Sequence, residues 1–181
     1  MKNTKIVLIT IAIIIATILL SIFTVQGVQN KAISLEEQIY TAYSDIDIQQ
    51  KRRADLIPNL VDCVKAYDQH EYQTLVDVID ARGTDSDQSV TEIQTMINAV
   101  AEAYPELKSN ENYKELMNEL ATTENLIANV RSNYNKWVTK YNSYIKQFPN
   151  RQVLNILGYE AVVYEKLNFD VSSDAPTNLF G

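Results

Sequence analysis

A chain with one cysteine cannot close an internal disulfide, and Cys63 is the only cysteine among these 181 residues. It therefore does not distinguish a reducing compartment from an oxidising one. Flanked by Leu60, Val61 and Val64, it reads as a packing residue rather than a thiolate nucleophile. The single histidine, His70, is preceded three residues earlier by Tyr67. A di-metal site inside a helical bundle needs two Glu-x-x-His pairs, so none can be built here. Only four Gly and four Pro interrupt the chain, which favours long helices over an all-β design. Neither a Gly-rich phosphate loop nor Gly-x-Ser-x-Gly is present. Asp85, Asp87 and Ser89 imitate the start of a calcium loop, but Val90 stands where Gly is required and Met96 where a bidentate Glu is required. The expectation is a protein with no catalytic residues, no cofactor and no metal, and hence no enzyme.

Basic charge is also scarce. Past residue 27 there are 14 Lys and Arg against 23 Asp and Glu. Such an acidic domain is repelled by phosphate backbones, so nucleic acid is not an expected partner. Charge of either sign is missing altogether from Ile6 to Val25, IVLITIAIIIATILLSIFTV. At 1.5 Å per residue this run is about 30 Å long, one hydrocarbon core. A cleaved signal peptide is the rival reading, since MKNTK is a short basic leader. No A-x-A site follows, however, and the run is longer than a signal core. The sequence thus predicts a retained anchor at 1–27 that meets the lipid bilayer through residues 6–25. Lys2 and Lys5 precede it and only Lys31 follows closely. This balance places the N-terminus in the cytoplasm and the domain outside.

Four helical segments are predicted after the anchor, as an up-and-down bundle over 28–168, with a flexible tail at 169–181. The first runs from Val28 to Leu56, with Ile39, Ala42 and Ile46 on one face. The second starts at Pro58 and ends at Arg82, with a stripe of Ile57, Leu60, Val61, Val64, Leu75, Val78 and Ile79. Ser89-Val-Thr-Glu92 is a capping-box signature for the third, which ends near Tyr104-Pro105. The fourth carries Tyr113, Met117, Leu120, Glu124, Ile127, Arg131, Tyr134, Val138, Tyr141, Ile145 and Phe148, alternating steps of four and three without a slip. A short helix is predicted over Leu154 to Leu167, with the chain extended or loose from Ser172.

Polar residues at two places carry the candidate sites. Lys51, Arg52 and Arg53 fall at the predicted end of the first helix, where cations complement the macrodipole. Asp55, Pro58 and Asn59 would then turn the chain. A site for an anionic ligand is the competing reading of this run. Glu124 and Arg131 interrupt an otherwise apolar stripe, so each must be paired or reach water. A polar layer fixing helix register, a ligand pocket and plain solvent exposure all remain open. Arg53 is the available partner for Glu124, and Asp45, Asp47 or Glu36 for Arg131. Tyr134-Asn135 and Tyr141-Asn142 repeat at seven residues, which puts each Tyr on the core face with an Asn beside it.

The residues Asp45-Ile-Asp47, Lys51-Arg-Arg-Ala-Asp-Leu-Ile-Pro-Asn-Leu-Val61, Ala81-Arg82, Glu102-Ala-Tyr-Pro-Glu-Leu-Lys108 and Asn110-Glu-Asn-Tyr113 occur in this order. Thr123-Glu-Asn125, Ala128 to Arg131, the two Tyr-Asn pairs and Phe148-Pro149 follow. Together they resemble the LemA family over about residues 29 to 150. The resemblance implies a bromodomain-like, up-and-down four-helix bundle behind a membrane helix, with no established function. It also implies a short N-terminus outside the cell, the reverse of what the lysines predict. The chain departs from the family pattern at Gln29-Asn30, Ser34, Glu36 and Glu37, where Tyr-Asn and basic residues are usual. It departs again at Tyr43 and Gln50, where Trp and Leu are common.

Two functions compete at this level. One is a membrane-anchored scaffold whose bundle docks another protein or a second copy of itself, with the motif residues from Asp45 to Asn59 and Glu124 to Asn135 partly structural and partly for docking. The other is a small-molecule sensor with its ligand near Glu124 and Arg131.

Overall fold

The computed structural model describes residues 2–84 and 87–168, and among these the fold is all-α: a long apolar N-terminal helix followed by a helical bundle. Its helices are α1 (Lys2–Lys65), α2 (Gln69–Arg82), α3 (Asp87–Ala103), α4 (Pro105–Ser109), α5 (Glu111–Lys146) and α6 (Asn150–Ile156). They form two compact units. One comprises Met1–Thr41 with Asn133–Gly181, the other Ala42–Ser132.

The first unit begins with the apolar run of α1. It is long and apolar enough to cross a membrane, and none of it is buried within the chain. Leu8, Ile13, Leu20 and Phe23 all present most of their surface outward, an arrangement suited to lipid rather than water. The hydroxyls inside the run are satisfied along the helix. Thr17 donates to the Ile14 carbonyl at 2.8 Å, Ser21 to Thr17 at 2.8 Å, and Thr24 to Ser21 at 2.8 Å. An unsatisfied polar group in hydrocarbon would cost roughly several kcal/mol. Beyond the run, Ala32, Leu35 and Ile39 of α1 are buried, as are Tyr134, Val138, Tyr141 and Ile145 of α5 and Leu154 of α6.

The second unit holds a core of Ile57, Leu60, Val61 and Val64 from α1, Leu75 from α2, Val90, Ile93 and Ile97 from α3, Leu107 from α4, and Tyr113 and Leu120 from α5. Of the four-three stripe of α5, Tyr113, Leu120, Ile127, Tyr134, Val138, Tyr141 and Ile145 are buried, Met117, Glu124 and Arg131 are half-buried, and Phe148, which lies past the helix, is exposed.

The predicted joint at Asp55-Pro58 does not exist. Helix α1 runs through Pro58 without interruption. An interior proline removes one helical hydrogen bond and crowds the carbonyl a turn earlier. Here the adjacent Asn59 amide donates to the Asp55 carbonyl at 3.0 Å, and Ile57, Leu60 and Val61 hold the segment by burial. Tertiary packing outweighs the break. Changing Pro58 to Ala is therefore expected to raise the unfolding midpoint, by roughly 1–3 kcal/mol of stability. A joint would have responded with a loss, so a lowered midpoint in thermal denaturation would contradict the continuous helix.

The chain turns instead at Ala66–Asp68. Asp68 caps α2, its Oδ1 accepting from the backbone N–H of His70 at 2.8 Å and of Glu71 at 3.0 Å. Those bonds, and one from Tyr104, hold the Asp68 carboxyl below the usual range. Asp68-x-x-Glu71 is a capping pattern legible in the sequence. Gly83, at φ 70, closes α2, and its N–H reaches the Ile79 carbonyl. Ser89 is not a cap: α3 already includes Asp87, and Ser89 is buried inside it. Neither α4 nor the cap on α5, where Asn110 Oδ1 accepts from Tyr113 N–H at 3.1 Å, was anticipated. The predicted helix over Leu154 to Leu167 is also corrected. Helix α6 ends at Ile156, Gly158 takes φ 67, and 159–168 has no regular structure. The tail at 169–181 and Asp85 of the calcium-loop imitation lie outside the described residues.

Candidate functional site

Because α1 is continuous, Lys51, Arg52 and Arg53 sit in its interior, and the macrodipole account of them fails. Consecutive helical residues point about 100° apart, so the three cations separate. Lys51 meets Asp55 at 3.5 Å on the surface. Arg52 reaches Glu119 at 2.8 Å, both half-exposed. Arg53 turns inward: its side chain is 0% exposed and its Nη1 lies 3.5 Å from Glu124 Oε2, while Glu124 is 35% exposed. The Arg53–Glu124 pairing therefore forms as the sequence suggested. Glu124 Oε1 is buried without a hydrogen-bond partner, and so is Oε1 of Gln49, one turn before Arg53. Thr123 beside Glu124 is buried and donates to the Glu119 carbonyl at 2.8 Å. This is a polar layer within the second unit, partly open to water on the glutamate side.

The remaining candidates spread out. Asp45 and Arg131 are half-buried, and Asp47, Asp55, Pro58, Asn59 and Asn125 are exposed. Glu36, a possible partner for Arg131 on sequence grounds, is engaged by two tyrosines of its own unit. His70 is exposed in the first turn of α2. Cys63 is half-buried against the core, and burial pushes its thiol up. Among the described residues no cluster of His, Cys, Asp and Glu could hold a metal.

Tyr134 and Asn135 belong to a second arrangement, in the first unit, that sequence reasoning missed. Residues 159–168 form a strap held by its backbone. Asn142 donates to the Tyr164 carbonyl at 2.7 Å and accepts from the Tyr164 N–H at 3.2 Å. Asn135 does the same with Leu167, at 2.9 Å and 2.8 Å. Seven residues of helix advance about 10.5 Å, and three residues of extended chain about 10 Å. The two asparagines therefore reach strap residues three apart. Such amide pairs read the peptide backbone whatever side chain it carries. Tyr134 adds a bond from its hydroxyl to the Glu165 carbonyl at 3.4 Å.

Side chains fix where along α5 the strap lies. Tyr159 donates to Glu36 Oε2 at 2.9 Å and Tyr164 to Glu36 Oε1 at 2.8 Å. The Tyr164 hydroxyl also lies 3.0 Å from that of Tyr40, and the Tyr159 hydroxyl 3.4 Å from that of Tyr141. The Tyr164 ring meets the Tyr141 and Tyr40 rings edge-on, at 5.4 Å and 6.1 Å. Burial, these hydrogen bonds and the Glu36 charge hold both strap tyrosines far above the ordinary phenol range. The Tyr-Asn repeat seven residues apart was the signal. It is a packing repeat at Tyr and a backbone clamp at Asn.

An exposed apolar helix followed by a helical bundle, with a backbone clamp and a part-buried Arg–Glu pair, defines a class of candidate membrane-anchored helical proteins. A family model described as LemA family matches residues 42–178, and the chain belongs to the LemA family. It is similar to Protein LemA of Metamycoplasma hominis, 25% identical over 176 residues, which cover 87% of this chain and 80% of that protein.

Proposed function

We propose that the protein is a non-enzymatic, single-pass membrane scaffold whose bundle docks proteins, a second copy of itself included, on the side of the membrane away from its N-terminus. The observation that supports this is the strap. The helices of the first unit bind an extended segment through its backbone and two tyrosines, which is the chemistry of peptide recognition. The experiment is proximity labelling in cells from an enzyme fused to the full chain, with a fusion to residues 1–27 alone as control. A discrete set of neighbours that requires the bundle is expected. Recovery of the same neighbours from the anchor alone would defeat the reading. A membrane-anchored sensor of small molecules is the alternative, favoured by the buried acceptors Glu124 Oε1 and Gln49 Oε1. It predicts a small polar molecule retained in native mass spectra and lost on Glu124→Gln.

A further inference from the structure

The chain is acidic overall, with a formal net charge of −7, yet from Asn125 to Tyr159 it contains no Asp or Glu. Within the first unit that stretch carries Lys136, Lys140, Lys146 and Arg151, all exposed. Folding decides where they go. The Tyr144 hydroxyl donates to the Val28 carbonyl at 3.2 Å, three residues past the end of the apolar run. Tyr141 and Tyr40 share the Tyr164 ring. Within this unit higher numbers on α5 thus lie beside lower numbers on α1, so the two segments run antiparallel. The far end of α5, with the turn and α6 that follow, is carried towards the membrane-spanning segment.

That end is also apolar where it is most exposed. Phe148 is 82% exposed and Ile156 is 85% exposed, with Lys146 and Arg151 close to them in sequence. Lys31 of α1 lines the same side groove as Trp137, Lys140 and Tyr144. The Lys140 ammonium sits 4.2 Å from the centre of the Trp137 ring. The first acidic residues of α1, Glu36 and Glu37, come eleven and twelve residues past Val25, about 16 Å and 18 Å along the axis. Cations and bare apolar side chains therefore share one end, and the acids of α1 stand back from it.

We propose that this end of the first unit docks on the anionic headgroup layer of the bilayer, with Phe148 and Ile156 inserted at the acyl boundary and Lys31, Lys140, Lys146 and Arg151 paired with lipid phosphates. The surface is continuous with the apolar helix, so the fold itself brings a bilayer to it. Apolar residues flanked by Lys and Arg have this affinity for an anionic interface. The inference rests on the membrane-anchored reading of α1.

The test uses the full chain in Cys63→Ser background, reconstituted in vesicles. An environment-sensitive fluorophore is placed on a cysteine at Phe148, Ile156, Glu37 or Ile14 in turn. Vesicles are phosphatidylcholine alone or mixed with phosphatidylglycerol, each with and without a spin-labelled quencher lipid. Probes at 148 and 156 are expected to be quenched by lipid in the anionic vesicles and the probe at 37 to remain in water. Each of Lys146→Gln and Arg151→Gln should lower the docked-to-free ratio by about fivefold. Water-like emission at 148 and 156 with a quenched probe at 14 would overturn the docking and leave the anchor standing. Quenching that is equal in both vesicles would overturn the anionic selectivity. Shielding at 148 and 156 in native membranes but not in vesicles would mean that an acidic protein, not lipid, covers the surface. An unquenched probe at 14 would remove the anchor reading itself, and the docking with it.

Discussion

Arg53→Ala is expected to unfold the second unit more readily than any other single change in the polar layer. The guanidinium is fully buried and faces Glu124 at 3.5 Å. Its removal empties a large volume between α1 and α5 and leaves a carboxylate with one oxygen already buried and unpartnered. Breaking a pair buried on both sides costs roughly 3–5 kcal/mol, and less where water reaches one partner as it does Glu124, out of a total stability of roughly 5–15 kcal/mol. Glu124→Ala should cost less, because Glu124 is 35% exposed and water enters from its side. Arg131→Ala, at a half-buried position, should fall below both. If the pair serves register, Arg53→Leu combined with Glu124→Leu should recover most of the loss. Denaturant midpoints of the full chain in micelles, followed by circular dichroism, give the order. A midpoint for Arg53→Ala within error of the parent would remove the layer from any account of stability.

The second large effect is expected at the clamp. Asn135→Ala with Asn142→Ala removes four hydrogen bonds between α5 and the strap. At about 0.5–1 kcal/mol each, the loss is roughly 2–4 kcal/mol. Amide exchange at Tyr164 and Leu167 should then quicken roughly 30- to 1000-fold, while amides of the second unit keep their rates. Trypsin cleavage after Lys166 offers an independent reading of the same release. Unchanged exchange at both amides would mean that the tyrosines alone hold the strap.

The parts legible in the sequence were those governed by short-range periodicity. The four-three spacing on α5 identifies Tyr113, Leu120, Ile127, Tyr134, Val138 and Tyr141 as core, and singles out Glu124 as a charge that must be paired or hydrated, with Arg53 an available partner. Absence of charge from Ile6 to Val25 identified the apolar helix. Failures came where two local signals competed. Pro58 signals a break and the Ile57-Leu60-Val61 stripe a continuous face, and in the fold the stripe wins because those residues are buried. Asp68 caps α2 in a segment whose apolar pattern continues on both sides of it, so the periodicity alone predicts one helix there. The strap could not be read from either segment alone. Nothing in Tyr159 to Leu167 states which helix its backbone will meet, and an asparagine on a helix is by itself only a surface residue.

The clamp also behaves as a vernier. Asparagines seven apart on a helix and backbone groups three apart on an extended chain come into coincidence at one spacing, and at no smaller one. A slip of the strap by one or two residues would break both amide pairs together. A slip of three would bring Leu167 to Asn142, but it would also draw Tyr164 off Glu36. Spacing is therefore set by the asparagines and phase by the tyrosines. The strap is thereby held to a single register.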